Sequence, residues 1–173
     1  LLPSPGWARP MLDLAVGWRS GSQAPALTAA AGPPRGRVGL LAGCVQRVMF
    51  GDVNAATARV LAAAGYEVVV PPQGCCGVLS AHAGRAEEAA RFTTALGQAL
   101  AGLETIVVNS SGCGSHLKEK GLPALDVTEA LAGAELPRLH SLELTVAYQD
   151  SCHMRHAQRL PGAWRPLLEQ IPG

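Results

Sequence analysis

The stretch TIVVNSSGCGSH, residues 105–116, runs from β-branched residues into a cysteine held between two glycines. Its first half reads as a buried strand, since β-branched side chains suit a pleated surface and nothing polar interrupts them. Its second half reads as the turn that leaves the strand's carboxyl end. The arrangement recurs along the chain. RVGLLAG (37–43) leads to Cys44, YEVVVP (66–71) leads to QGCCG (73–77), and LELTVAYQ (142–149) leads to Cys152. Between these strands, DVNAATARVLAAAG (52–65) predicts an alanine-rich helix closed by Gly65. RAEEAARFTTALGQALAG (85–102) predicts a long helix, with Glu87 and Arg91 paired on its exposed face. HLKEKG (116–121), DVTEALAG (126–133) and the closing PGAWRPLLEQIPG predict three short helices. Strands alternating with helices predict an α/β fold of right-handed βαβ units around a mainly parallel sheet. Ligands of such sheets bind beyond the carboxyl ends of the strands. Cys44, Cys75–Cys76, Cys113 and Cys152 are therefore expected on one rim.

Composition narrows the function. The chain has 173 residues, 48% hydrophobic, with a net charge of +1. That supports one core and gives no electrostatic case for nucleic acid or an anionic membrane. Aromatic residues make up 4%, too few for a base-stacking platform. No apolar run reaches the ~20 residues of a membrane span, and no signal-peptide pattern opens the chain. The leading Leu1 and the closing QIPG read as the ends of a fragment of a longer protein. Residues 1–36, rich in Pro, Gly, Ala and Ser, read as a linker around one short helix, MLDLAVGW (11–18). Trp7 and Trp18 read as packing residues. No GxGxxG, P-loop or GxSxG motif supports nucleotide binding or hydrolase chemistry.

Five cysteines make a poor disulfide framework. Cys75 and Cys76 are adjacent, with Cα atoms ~3.8 Å apart, short of the usual disulfide range. Reduced thiols awaiting a metal fit better and imply a reducing compartment. The flanking glycines, Gly43, Gly74, Gly77, Gly112 and Gly114, can take positive φ and turn N–H groups toward a ligand, and such donors tune sulfur-ligated iron. Thiolates suit zinc or iron–sulfur clusters. The two CxxC knuckles of a structural zinc site are absent. Two adjacent cysteines also point in different directions, which suits two irons of one cluster better than one small ion. An iron–sulfur cluster, zinc, redox-active thiols and buried structural cysteines all remain open from the residues alone.

GCVQ (43–46), GCCG (74–77), NSSGCG (109–114) and SCHMRHAQ (151–158) together resemble the cysteine-rich CCG domain. That family includes the CCG-containing subunit of heterodisulfide reductase and the iron–sulfur subunits of lactate-utilisation, anaerobic glycerol-3-phosphate dehydrogenase and glycolate oxidase systems. DVNAATARVLAAAGYEV, IVVNSSGCGSHLKEKG and CHMRHAQ…PLLEQIPG resemble the glycolate oxidase iron–sulfur subunit most, over roughly residues 37–173. The resemblance implies an electron-transfer subunit in which Cys44, Cys75, Cys76 and Cys113 hold a cluster, expected to be [4Fe–4S]. Electrons would pass from a flavoprotein partner toward a quinone. It implies a ferredoxin-like module elsewhere in the full chain, and a cytoplasmic location at the inner face of the membrane. It divides the chain into a linker (1–36), a first CCG domain (37–143) and the start of a truncated second repeat (144–173), in which Cys152 corresponds to Cys44. Where the heterodisulfide reductase type has CxxC at the last cysteine, this chain has CGSH. His116 is thus a candidate fifth ligand, its alternative being a polar residue at a helix start. Cys152 is a further candidate.

His153 and His156 would share a helix face and could share a metal, or cap a helix or line the cleft. His82 could border the cluster or lie on the surface. Lys118 and Lys120 could balance an anionic cluster or form a solvated face. Two other classes of function stay open: a zinc-binding or metal-free docking module, and a thiol-redox enzyme using Cys75–Cys76. Within the family the oxidised substrate could also be lactate or glycerol 3-phosphate.

Overall fold

Strand β2, Gly36–Leu41, turns from exposed at its first two residues to buried over its last four, the signature of a central strand. It belongs to a computed structural model that describes residues 22–134 and 136–173. On one side β2 pairs in parallel with β3 (Tyr66–Val69), from Gly36↔Tyr66 to Gly39↔Val69. On the other it pairs in parallel with β4 (Ile106–Val108), from Gly39↔Ile106 to Leu41↔Val108. Beyond β4 lies β5 (Ala124–Asp126), also parallel. A two-residue β1 (Leu27–Thr28) closes the far edge antiparallel to β3. The order β1-β3-β2-β4-β5 reverses direction about β2, so the crevice between the β2 and β4 ends is the topological switch point where ligands bind.

Helices cover both faces. After β2 come α1 (Gln46–Met49) and α2 (Gly51–Ala63). Between β3 and β4 lie α3 (Val78–His82) and α4 (Ala86–Ala99). Then α5 (Ser111–Glu119) follows β4 and α6 (Val127–Leu131) follows β5. A π-type turn at His153–Ala157 and a short α7 (Arg165–Leu168) complete the chain. The alternation of strand side chains sorts the core into two layers. Val38, Leu40, Val68 and Val107 pack with Ala58 and Leu61 of α2 and with Ala130 and Leu131 of α6. Leu41, Ile106 and Val108 pack on the opposite face with Leu96 of α4 and Leu117 of α5.

Several sequence expectations change. The helix expected at 116–121 starts earlier, at Ser111, so Cys113 sits in a first helical turn rather than in a loop. Strand β5 was not anticipated, because ALD is too short to show a period. Leu27–Thr28 lie inside the stretch read as linker, yet they join the sheet, and Ala31 N–H donates to Ala62 O at 2.9 Å. LELTVAYQ (142–149), expected as a fourth major strand, has no ladder partner among the described residues and is irregular. Its alternating Leu142, Leu144, Val146 and Tyr148 line an apolar groove with Trp164, Leu168 and Ile171 instead. Alternation supplies a strand's face but not its hydrogen bonds, which need a second strand. The helix expected at 11–18, Trp7 and Trp18 lie outside the described residues.

Candidate metal centre

Three connections at the carboxyl edge of the sheet carry the thiols. Cys44 follows β2, with Gly43 at φ 68° turning the chain into α1. Cys75 and Cys76 lie between β3 and α3. Gly77, at φ 92°, starts α3 and packs so tightly on α4 that an added Cβ would lie 2.5 Å from Ala89 O. Cys113 follows β4 on the first turn of α5.

The fold brings these four sulfurs together. Cys44 Sγ lies 3.4 Å from Cys75 Sγ, and Cys76 Sγ lies 3.1 Å from Cys113 Sγ. The Gly77 N–H donates to Cys75 Sγ at 3.3 Å. Cys44, Cys76 and Cys113 line a cavity of about 480 Å³ together with the polar Asn109 and Ser110 and the apolar Val45, Phe50, Val78 and Leu79. Among the described residues no carboxylate or imidazole lines it. Nor, among them, do three His, Cys, Asp or Glu side chains surround a single metal-ion position. The sulfurs stand as two hydrogen-bonded pairs, each closer than the roughly 3.8 Å between two thiolates on one tetrahedral zinc. An all-sulfur donor set beside a cavity fits a sulfur-ligated metal group, and the pairs must part to receive it.

The thiols are electrostatically unequal. Burial pushes the Cys44 thiol up, and the neighbouring Cys75 adds to this. Cys76 donates its proton to Cys113, which pushes Cys76 up, with burial adding to the shift. The same bond pulls Cys113 down, aided by a hydrogen bond from Ser110 and opposed by burial. Cys113 is therefore the more acidic thiol of its pair and Cys76 the one that holds its proton more tightly. Loading a metal must expel that proton, so binding strengthens as pH rises.

The remaining candidates fall elsewhere. His116 is buried but does not line the thiol cavity. Its Nε2 lies 3.1 Å from Thr93 Oγ1, and Thr93 in turn donates to Cys76 O at 2.8 Å. His116 thus stands behind the site, two hydrogen bonds from the Cys76 backbone, in the second half of α5 rather than at a helix start. Cys152 is exposed and absent from the cavity wall. His153 stacks on His82, with ring centroids 5.5 Å apart. Lys118 pairs with Glu129 and Lys120 with Glu119, so both are turned to carboxylates. Of the flanking glycines, Gly43 and Gly77 take positive φ, whereas Gly74, Gly112 and Gly114 do not. Gly114 instead leaves room for Gln158: a Cβ there would lie 3.0 Å from Gln158 Nε2, which donates to Ser111 O.

The sequence reading missed Asn54 and Thr93. Both are buried polar residues on largely apolar helix stripes, Asn54 beside Ala55, Ala58 and Leu61, and Thr93 between Ala89 and Leu96. A polar side chain at a core position is itself the signal, because burial there demands a hydrogen-bond partner.

Comparison with known proteins points in one direction. Residues 38–118 match the CCG cysteine-rich domain. The chain is 33% identical over 166 residues to a probable glycolate oxidase iron–sulfur subunit of Bacillus subtilis, covering 82% of this chain and 37% of that protein. It is 32% identical to the glycolate oxidase iron–sulfur subunit of Escherichia coli, covering 78% of this chain and 39% of the relative. It is also 32% identical to a fumarate reductase (CoM/CoB) subunit of Methanothermobacter marburgensis, covering 81% and 30%. The chain thus spans well under half the length of each of these relatives. No solved structure matches it with significance.

Proposed function

Through residues 38–118 the chain belongs to the cysteine-rich CCG domain family, and from that premise we propose that it is the cluster-holding part of an electron-transfer iron–sulfur subunit of a glycolate oxidase type. The observation that carries this reading is the meeting of Cys44, Cys75, Cys76 and Cys113 from three separate connections beside one cavity. These four thiolates would hold an iron–sulfur cluster, with [4Fe–4S] the match to four ligands. When bound, the group supplies one-electron transfer; the chain supplies the thiolates, the Gly77 amide donor at Cys75, and an apolar wall at Val45, Phe50, Val78 and Leu79 that thins the water around it. Burial and amide donors are the protein's means of setting such a potential.

In this reading a flavoprotein partner oxidises the 2-hydroxy acid and electrons leave toward a quinone. The partner, and not this chain, selects between glycolate and lactate in this reading. Among the described residues no helix is long and apolar enough to cross a membrane, and membrane association would then be peripheral, through the complex. Residues 144–173 would open a second repeat. The unpaired alternation of Leu142, Leu144, Val146 and Tyr148 ahead of DSCHMRH supports that division.

Anaerobic reconstitution of the full chain with iron and sulfide tests the proposal. About four irons and four sulfides per chain are expected, with an EPR signal on reduction. Cys113→Ser should lose most of that iron, and Cys152→Ser should keep it. Stoichiometric zinc without iron in protein purified free of oxygen would sink the electron-carrier reading in favour of a zinc-bound module.

A further inference from the structure

Beyond Val69 the chain leaves the sheet while β2 runs on. The β2–β3 ladder stops at Gly39↔Val69, and Pro71 and Pro72 bring no N–H to extend it. The Leu40 and Ala42 peptide groups on that side would be left without partners. Gln73 fills the gap with its side chain. Its Oε1 accepts from Ala42 N–H at 3.0 Å, and its Nε2 donates to Leu40 O at 3.0 Å and approaches Pro71 O at 3.3 Å. A carboxamide has the donor and acceptor of a peptide, so Gln73 stands where a strand residue would. Arg47 on α1 holds the same loop by donating to Gln73 O at 3.2 Å.

The Ala42 peptide is bonded at both ends. Asn54, fully buried, donates from Nδ2 to Ala42 O at 2.8 Å. Asn109 donates from Nδ2 to Asn54 Oδ1 at 3.1 Å, and its own Oδ1 accepts from Thr57 at 3.1 Å. A relay of carboxamides therefore joins the Cys75 loop, the end of β2 just before Cys44, and the end of β4 just before the Cys113 helix. These bonds run to backbone, to Thr57 and from one carboxamide to the next, not to sulfur.

The geometry points to Gln73, supported by Asn54 and Asn109, as a positioning residue of the thiol site: its carboxamide fixes Cys44 against Cys75 before any metal arrives. This rests on reading the four thiols as one ligand set, and it names residues outside that set.

The test measures thiol spacing directly in the metal-free full chain. One background keeps only Cys44 and Cys75 (Cys76→Ser, Cys113→Ser, Cys152→Ser). A second keeps only Cys76 and Cys113 (Cys44→Ser, Cys75→Ser, Cys152→Ser). A diazenedicarboxamide oxidant takes two electrons and two protons from a thiol pair, leaving one disulfide and one hydrazine, and non-reducing peptide mapping follows the rate. Gln73→Ala should slow Cys44–Cys75 closure by about tenfold, the scale expected when ordering hydrogen bonds are lost. It should leave Cys76–Cys113 closure unchanged, because Cys76 is held separately by Thr93. Should the alanine chain fail to fold, Gln73→Glu keeps the volume and the acceptor but loses the donor to Leu40 O, and carries the same expectation. Unchanged closure of the Cys44–Cys75 pair, or equal slowing of both pairs, overturns the inference. If the wild-type chain fails to bind iron while the two rates still diverge, the cluster reading falls and the positioning role stands.

Discussion

A single buried imidazole shows how residue chemistry sets the conditions under which this site stays assembled. Burial holds His116 below its ordinary pKa of 6.5, with Lys120 adding to the effect. Between that lowered value and 6.5 the unfolded chain binds a proton that the folded chain refuses. The stability contributed is complete above pH 6.5 and is lost as pH falls through the window. The melting temperature of the metal-free protein should therefore decline as pH falls below 6.5, and His116→Gln should flatten part of that decline. A decline equally steep in the variant would show that His116 is not its source. The position of His116 was not legible from the sequence. CGSH places it three residues after Cys113, close enough to suggest a ligand. Only the packing of α5 on α4 turns its ring toward Thr93 and away from the sulfurs.

At the scale of elements, glycine-rich connections decide whether the cysteines can meet. Gly77 is left-handed and also touches α4, where a Cβ would meet Ala89 O at 2.5 Å and Thr93 Oγ1 at 3.1 Å. Gly84 is left-handed too, at φ 74°, but a Cβ there meets nothing within 4 Å. Gly84→Ala should cost about 1 kcal/mol, the backbone strain alone. Gly77→Ala should cost at least about 2 kcal/mol more, because α3 must be pushed off α4 as well. Urea unfolding of the two variants measures the difference, and equal costs would mean that α3 and α4 can separate freely. The helices at Gly51–Ala63 and Ala86–Ala99 follow their sequence signals to within a few residues, since an amphipathic stripe is a local property. The 142–149 stretch does not become a strand, since a ladder requires a partner that the stripe cannot supply.

Across the whole molecule the two core layers have different duties. Leu61 belongs to the layer under α2 and α6, which contains no cysteine, whereas Leu96 belongs to the layer that contains Cys76 and borders Cys113. Leu61→Ala and Leu96→Ala should each lower stability by about 2–5 kcal/mol through lost burial and a residual cavity. Only Leu96→Ala should also alter the absorption or EPR spectrum of reconstituted protein, because only that layer props the Cys76–Cys113 pair. Identical spectra in both variants would show that the thiol site is insulated from its core. The sequence by itself determined the class of fold, through β-branched runs alternating with amphipathic helices, and that thiols are the donors the chain offers, while leaving open what they hold. Both are properties of short stretches read one at a time. The tertiary structure decided which sulfurs pair, that His116 and Cys152 stand apart from them, and that carboxamides of Gln73, Asn54 and Asn109 bind the three connections together. Those outcomes depend on where β2 ends relative to its two neighbours, and strand register is set by pairing across long separations that local pattern does not encode.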